Sequence, residues 1–298
     1  MSEFIHETVL LRETIDGVSP VSGGVYVDVT LGGGGHTQAL LEASAPHGKV
    51  YGLDRDPNAL AAARERLLPY GERVVLLHGR FSELTSLLLS VGVSRVQGVI
   101  ADLGVSSPQL DHADRGFSFS RPGPLDMRMD PTAGEPLSEL LQRFSTDELA
   151  DILYEYGEER ASRPIARSIK AALELGELLT TEDLRRTVVR VLGPRKGGAD
   201  PATRTFQALR MAVNAETHEL DALLLALPEV LADHGRAAVI SFHSGEDRKV
   251  KYAFRDDPRL KPLTKRPLEA GDAESDLNPR ARSAKLRVAE RVPREELP

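Results

Sequence analysis

The first hundred positions alternate between short, continuous apolar runs and longer amphipathic stretches. The runs begin at Val25, Lys49, Arg73 and Val96, and they are dense in Val, Leu and Ile. Runs of that length and composition predict strands buried on both faces of a parallel sheet. The stretches between them predict helices over Thr37 to Glu42, Pro57 to about Leu68, and Glu83 to Ser90. Pro57 suits a first helical turn, and Ser82 is placed to cap the helix after it. Four such β-α units with right-handed crossovers give an open sheet whose ligand crevice lies at the strand C-termini. Gly32, Asp54, Phe81 and Asp102 then fall along one rim.

The rhythm breaks after Asp102. Leu103 to Pro136 is rich in Gly, Pro, Ser, Asp and Arg and is too long for a simple connection. It retains Phe117, Phe119, Met127 and Met129, which predicts an ordered loop near a ligand. Helical periodicity then dominates over Leu137 to Phe144, Thr146 to Tyr156, Ser162 to Leu175, Thr181 to Leu192 and Pro201 to Ala212. A long helix reaching about Leu231 leads to strands at Arg236 to Phe242 and Lys285 to Glu290. Between those strands, Asp256 to Arg282 reads as a surface arm. The expected organisation is a discontinuous sheet domain, 1–107 with 213–298, interrupted by an all-helical insert over 108–212.

Composition narrows the class. The chain has 298 residues, 41% of them hydrophobic, and no apolar run long enough to span a membrane. The start carries acids and a histidine instead of a basic, apolar leader, so a cytoplasmic location is expected. With no cysteine there are no disulfides, thiolate metal sites or cysteine nucleophiles. The net charge of −7 is unevenly spread: the chain from His243 onward sums to +3 and everything before it to −10. A basic tail on an acidic body leaves room for an RNA-facing strip, with Arg280, Arg282, Lys285 and Arg287 as candidate phosphate contacts.

The candidate chemistry starts at Val25 to His36, a strand that runs into four glycines, Gly32 to Gly35, and opens a helix. Glycines permit close backbone approach, and a helix N-terminus offers unpaired N–H groups to an anionic end. The dinucleotide pattern G-x-G-x-x-G is incomplete, because Gly32-x-Gly34 leads to Thr37 and Gly33-x-Gly35 to Gln38. What stands there is Asp28-x-x-x-Gly32-x-Gly34, with Asp54 closing the next strand where a carboxylate suits a pair of ribose hydroxyls. That combination favours S-adenosylmethionine (SAM) over NAD.

Asp28-x-Thr-x-Gly-x-Gly-Gly-His36, Gly52-x-Asp54-x-Asp56, Asp102-Leu-Gly-Val-Ser-Ser-Pro-Gln109, Arg115-Gly-Phe-Ser-Phe119 and Pro124-Leu-Asp-Met-Arg-Met-Asp130 follow one another along the chain. By these motifs the chain resembles the RsmH (MraW) family of bacterial ribosomal RNA methyltransferases. The resemblance continues through Tyr156-Gly-Glu-Glu159, Arg204 to Arg210, Val213-Asn214, Ser241-Phe-His-Ser244 and Asn278 to Arg287. Gly245 and Pro122 depart from the family pattern, where Leu and Asp are usual. The resemblance implies a class I SAM-dependent methyltransferase sheet of Rossmann-like α/β type with an inserted helical domain. It implies SAM contacts at Gly34, Gly35, His36, Asp54, Phe81, Asp102 and Gln109, and no metal. The activity implied is methylation of the exocyclic N4 of a cytidine in the decoding region of 16S rRNA, in the small ribosomal subunit.

Competing readings remain beside these. From chemistry alone, His36 reads as a surface or capping residue, and Gln109 carries no signal outside the resemblance. Ser241-Phe-His243-Ser-Gly-Glu246-Asp247 holds only one imidazole, so placement at a strand end is favoured over a metal cluster. Gly104-Val-Ser106-Ser-Pro108 fails the hydrolase elbow at its last position. Asp102 is the candidate catalytic acceptor for the amino hydrogens of the base, or else only a cofactor ligand. An NAD-dependent oxidoreductase and a SAM- or RNA-binding assembly factor without turnover are the alternative functions.

Overall fold

The computed structural model describes residues 8–194 and 197–296. The chain divides into two compact units. One runs through Gly104 and resumes at Thr217, and the other is Val105–Glu216.

The first unit is a seven-stranded sheet. Helix α1 (Leu11–Val18) precedes β1 (Val25–Asp28), then α2 (Gly35–Ala43), β2 (Lys49–Asp54), α3 (Pro57–Leu67), β3 (Val74–His78), α4 (Leu84–Ser90) and β4 (Val96–Asp102). The strand order is β3-β2-β1-β4-β5-β7-β6, in which β5 (Leu231–Ser241), β6 (Leu260–Pro262) and β7 (Lys285–Arg291) complete the far half. The first five strands are parallel, and β7 runs antiparallel to β5 and to β6. The sheet is therefore mixed, where the repeating β-α pattern alone predicted a parallel one. Alternate residues supply two apolar layers. Val27, Val99, Ala101 and Val239 face one cluster, while Tyr26, Ile100, Ala238 and Ile240 face another. α1, α2 and α3 cover the second layer. α4, α11 (Glu216–Val230) and α12 (Ser244–Asp256) cover the first. Each helix thereby buries one stripe against a sheet buried on both sides.

The second unit holds the short helix α5 (Ser107–Asp111) and then α6 (Leu137–Arg143), α7 (Thr146–Gly157), α8 (Ser162–Glu174), α9 (Thr181–Leu192) and α10 (Thr203–Val213). Its core is its own, built on residues such as Leu137, Leu149, Ile165, Val188 and Leu209. The long segment after Asp102 is ordered, as expected, because Leu125 and Met127 are buried in that core. Asn214 grips the same segment: its Oδ1 accepts the Met129 N–H at 2.8 Å, and its Nδ2 donates to the Met127 carbonyl at 2.7 Å. That grip holds Met127 at φ 61, a conformation a side chain rarely adopts.

The stretch expected to be a surface arm carries more structure than its composition indicates. It contributes β6, a further helix α13 (Asp272–Leu277) and a 3₁₀ turn over Pro279–Ser283. β6 is three residues long and sits at the sheet edge, too short to show an alternating pattern. Among the described residues, no helix is long and apolar enough to cross a membrane.

Candidate functional site

The parallel strands of the first unit end on one rim, and the register fixes which residues end there. Asp28 pairs with Gly52 and with Ile100, Asp54 with His78, and Asp102 with Ile240. Carboxyls at the ends of three neighbouring strands are therefore a consequence of strand length.

The glycine corner follows β1. Gly34 takes φ 81 as the residue before α2, and its N–H bonds the Leu31 carbonyl at 2.7 Å. A Cβ at Gly35 would stand 2.0 Å from Thr8 Oγ1, so no larger residue fits. α2 starts without a side-chain cap from the residue before it, and although Asp28 engages the Thr37 N–H, the helix start still presents its positive end to an anionic ligand end. Asp28 underpins the corner from below. It is fully buried, with Oδ2 accepting from the Thr37 hydroxyl at 2.8 Å and Oδ1 from the Thr30 N–H at 3.1 Å. Burial nonetheless pushes its pKa up to about 6.

Asp54 serves both sides of its strand end. Oδ2 accepts the Gly32 N–H at 2.8 Å and Oδ1 accepts the Asp56 N–H at 2.8 Å, so the carboxylate ties the glycine corner to β2. Each oxygen keeps a lone pair for a further donor. Burial raises its pKa to about 6, with the Asp56 and Asp28 charges adding to the effect. Asp56 in turn caps α3 by accepting the Asn58 N–H at 3.0 Å, which places Pro57 in the first turn as expected.

His36 corrects the reading of its residue type as a surface or capping side chain. It is 4% exposed, its burial lowers its pKa to about 4, and its Nε2 lacks a hydrogen-bond partner. It is a neutral imidazole in the wall of the site. Phe81 opens a 3₁₀ turn, Phe81–Glu83, and is half-buried against the apolar cluster on that face of the sheet. Ser82 does not cap the helix that follows. Its N–H and hydroxyl instead bond the two carboxyl oxygens of Glu219, at 2.9 and 3.1 Å, and Glu83 closes the turn by accepting the Arg80 N–H. Nothing in the sequence points to Glu219, which lies 137 positions away.

Asp102 differs from the other two. Its N–H donates to Thr30 Oγ1 at 2.6 Å, but its Oδ1 is buried with no hydrogen-bond partner. Burial raises its pKa to about 8, and the Asp28 and Glu246 charges act in the same direction. Glu246 lies beyond β5, where its Oε2 accepts the Phe242 N–H at 2.9 Å and the His243 N–H at 3.3 Å. His243 is the residue before α12 and forms a reciprocal cap with Glu246, the placement at a strand end that was favoured over a metal cluster. Its Nε2 stands 3.1 Å from Glu246 Oε1 but outside hydrogen-bonding geometry, so that nitrogen too has no bonded partner.

Gly34, Gly35, His36, Asp54, Phe81 and Asp102 thus belong to one unit and to adjacent segments of its rim. Gln109 lies in the other unit, 5% exposed on α5, where its Oε1 accepts the Ser106 N–H at 3.0 Å. Of the tail cations, Arg287 does not face outward. Its guanidinium makes a two-pronged pair with Asp247, at 2.7 and 3.1 Å, and its side chain is 8% exposed. Strand alternation on β7 turns it toward α12, which a charge count cannot reveal. Arg282 is exposed, and its Nε donates to the Ser275 carbonyl at 3.0 Å.

The donor set fits SAM. The uncapped helix start suits an amino-acid end, Asp54 a ribose, Phe81 an adenine face, and the unpartnered Asp102 oxygen the reacting end. Comparison with known proteins agrees. Residues 3–292 match the family model described as the MraW methylase family. The chain is 59% identical over 288 residues to "Ribosomal RNA small subunit methyltransferase H" of Sorangium cellulosum, covering 96% of this chain and 91% of that one. It is 49% identical over 297 residues to the protein of the same name from Synechococcus elongatus, covering 98% and 96%. Among solved structures, NSun6 from Pyrococcus horikoshii with SFG matches at a TM-score of 0.47 and 12% identity, covering 96% of this chain and 53% of that one.

Proposed function

The chain belongs to the MraW methylase family, and from that membership we propose that it methylates the exocyclic N4 of a cytidine in the decoding region of 16S rRNA. SAM is the methyl donor. The sheet unit holds the cofactor, and the helical unit together with the basic tail grips the RNA. The observation that carries the reading is the unpartnered Asp102 oxygen at the end of β4, beside a rim whose other carboxyls are already committed.

When bound, SAM supplies an electrophilic methyl group on a sulfonium. The cytosine amino nitrogen is a weak nucleophile because its lone pair is delocalised into the ring. An acceptor for one amino hydrogen favours the pyramidal nitrogen that in-line attack requires, and positioning supplies much of the remaining acceleration. Asp102 Oδ1 is that acceptor, with the carbonyl of Leu103 or Gly104 as a second. The Leu103 N–H is fixed on the Ile240 carbonyl at 3.0 Å, so the backbone after Asp102 is held while the acceptor works. The amino group becomes acidic once methylated, so no strong base is needed. A target in a single-stranded loop is also cheap to unstack.

The test is to incubate the protein with labelled SAM and small-subunit particles from a strain lacking the modification, and then to map the labelled nucleotide. Label on the N4 of one decoding-region cytidine is expected. Label elsewhere, or SAM binding without transfer, overturns the reading. On the RNA side, Arg280→Ala with Arg282→Ala should flatten the salt dependence of RNA binding by up to about two units of slope. SAM affinity should be unchanged.

A further inference from the structure

The 3₁₀ turn that carries Phe81 is tied at both ends. At its near end, the Gly79 N–H donates to the carbonyl of Asp54 at 3.1 Å. At its far end, Ser82 gives both its N–H and its hydroxyl to Glu219, at 2.9 and 3.1 Å. Glu219 lies near the start of α11 and is 6% exposed, although it carries a carboxyl group. Its neighbour Leu220 and, one turn further, Leu223 belong to the apolar cluster against which Phe81 packs. A carboxyl placed there loses water, which among the described residues is replaced by Ser82 and the positive end of a helix. Holding an exposed serine does not by itself justify a buried acid. Fixing the aromatic residue immediately before that serine does.

We propose that Glu219 is a positioning residue for the cofactor site, clamping Ser82 so that Phe81 is held ready as the adenine-facing wall. This rests on the reading of Phe81 as a SAM contact. Asp54 and Glu219 then divide the work. Asp54 fixes the start of the segment by its backbone while its carboxylate faces the ribose, and Glu219 fixes the end. A ligand that finds Phe81 already immobilised does not have to order it on binding.

S-adenosylhomocysteine binding by calorimetry, on the full chain, tests this. Glu219→Ala should weaken binding by about tenfold, the effect of losing one or two net hydrogen bonds on the turn. Glu219→Gln keeps an acceptor for the Ser82 N–H and a donor for its oxygen, so it should recover affinity to within about threefold of wild type. In a Phe81→Ala background, Glu219→Ala should add less than about twofold, because residues acting through one another are not additive. Binding stoichiometry reports the folded fraction, which separates lost affinity from lost protein. Wild-type affinity in Glu219→Ala, or a full tenfold effect that persists without Phe81, overturns the proposal. If Phe81→Ala alone binds normally, the assignment of Phe81 fails and the positioning role fails with it. If Phe81→Ala weakens binding and Glu219→Ala does not, only the positioning role is lost.

Discussion

The two halves of the sheet rim treat their carboxyl groups differently. At the β1–β2 side, both oxygens of Asp28 and both oxygens of Asp54 accept hydrogen bonds from their own neighbourhood. At the β4–β5 side, Asp102 Oδ1 is buried without a hydrogen-bond partner, and Glu246, whose Oε1 lies 3.1 Å from His243 Nε2, adds negative charge. The same contrast appears in proton affinity, with Asp28 and Asp54 raised to about 6 and Asp102 to about 8. A buried acceptor left unsatisfied costs about 1–3 kcal/mol. Such a cost is tolerated where the missing partner arrives with a ligand. One half of the rim is therefore a finished frame, and the other keeps an acceptor open, which on the proposed reading the reacting groups complete.

The contrast makes Asp54 the position of largest expected effect. On the proposed reading, Asp54→Ala would remove two ribose bonds worth roughly 1.5–3 kcal/mol each, and it would also free the Gly32 and Asp56 N–H groups that shape the corner. SAM affinity should fall by at least about a hundredfold in calorimetry. An unchanged dissociation constant would mean that the finished half does not hold the ribose. Asp102→Asn should have the opposite profile. Beside a sulfonium cation, which would favour the ionised carboxylate, the variant keeps an acceptor oxygen but loses that charge, so SAM should bind normally while single-turnover methylation slows by about a hundredfold. If slowing merely follows weaker SAM binding, Asp102 is a cofactor ligand, and the two halves differ in hydrogen bonding without differing in role.

The placement of these carboxyls on one rim is legible in the chain, because local rules set it; their differing hydrogen bonding is not. The four apolar runs, the glycines after Val29 and the acids closing three of those runs put Asp28, Asp54 and Asp102 on one edge. Period and strand polarity suffice for that. What escaped was set by distant partners. Glu219 on Ser82 and Arg287 on Asp247 join positions 137 and 40 residues apart. No local pattern distinguishes such a side chain from an ordinary surface charge. His36 escaped for a related reason: its type suggests a cap, and only the packing around Val9 and α2 buries it. The three-residue β6 is too short to announce itself.

The smallest expected effect concerns stability, and it separates the two halves without any ligand. In the folded chain Asp102 keeps its proton up to about pH 8, whereas the ordinary carboxyl pKa is 3.8. Between those values the folded state binds more protons than the unfolded one, so this group lowers stability as pH rises. Asp102→Asn cannot ionise and escapes the penalty. Its advantage over wild type should be near zero at pH 4 and grow to about 2 kcal/mol at pH 8, a figure reduced for the water that reaches the rest of a residue whose Oδ1 alone is fully buried. Asp28→Asn should show a smaller gain that levels off above about pH 6, because the folded pKa of that carboxyl is raised only that far. Urea unfolding of the two variants across that pH range provides the comparison. Parallel curves for Asp102→Asn and wild type would show that the β4 carboxyl is as well solvated as an ordinary one, and the distinction between the halves would then rest on geometry alone.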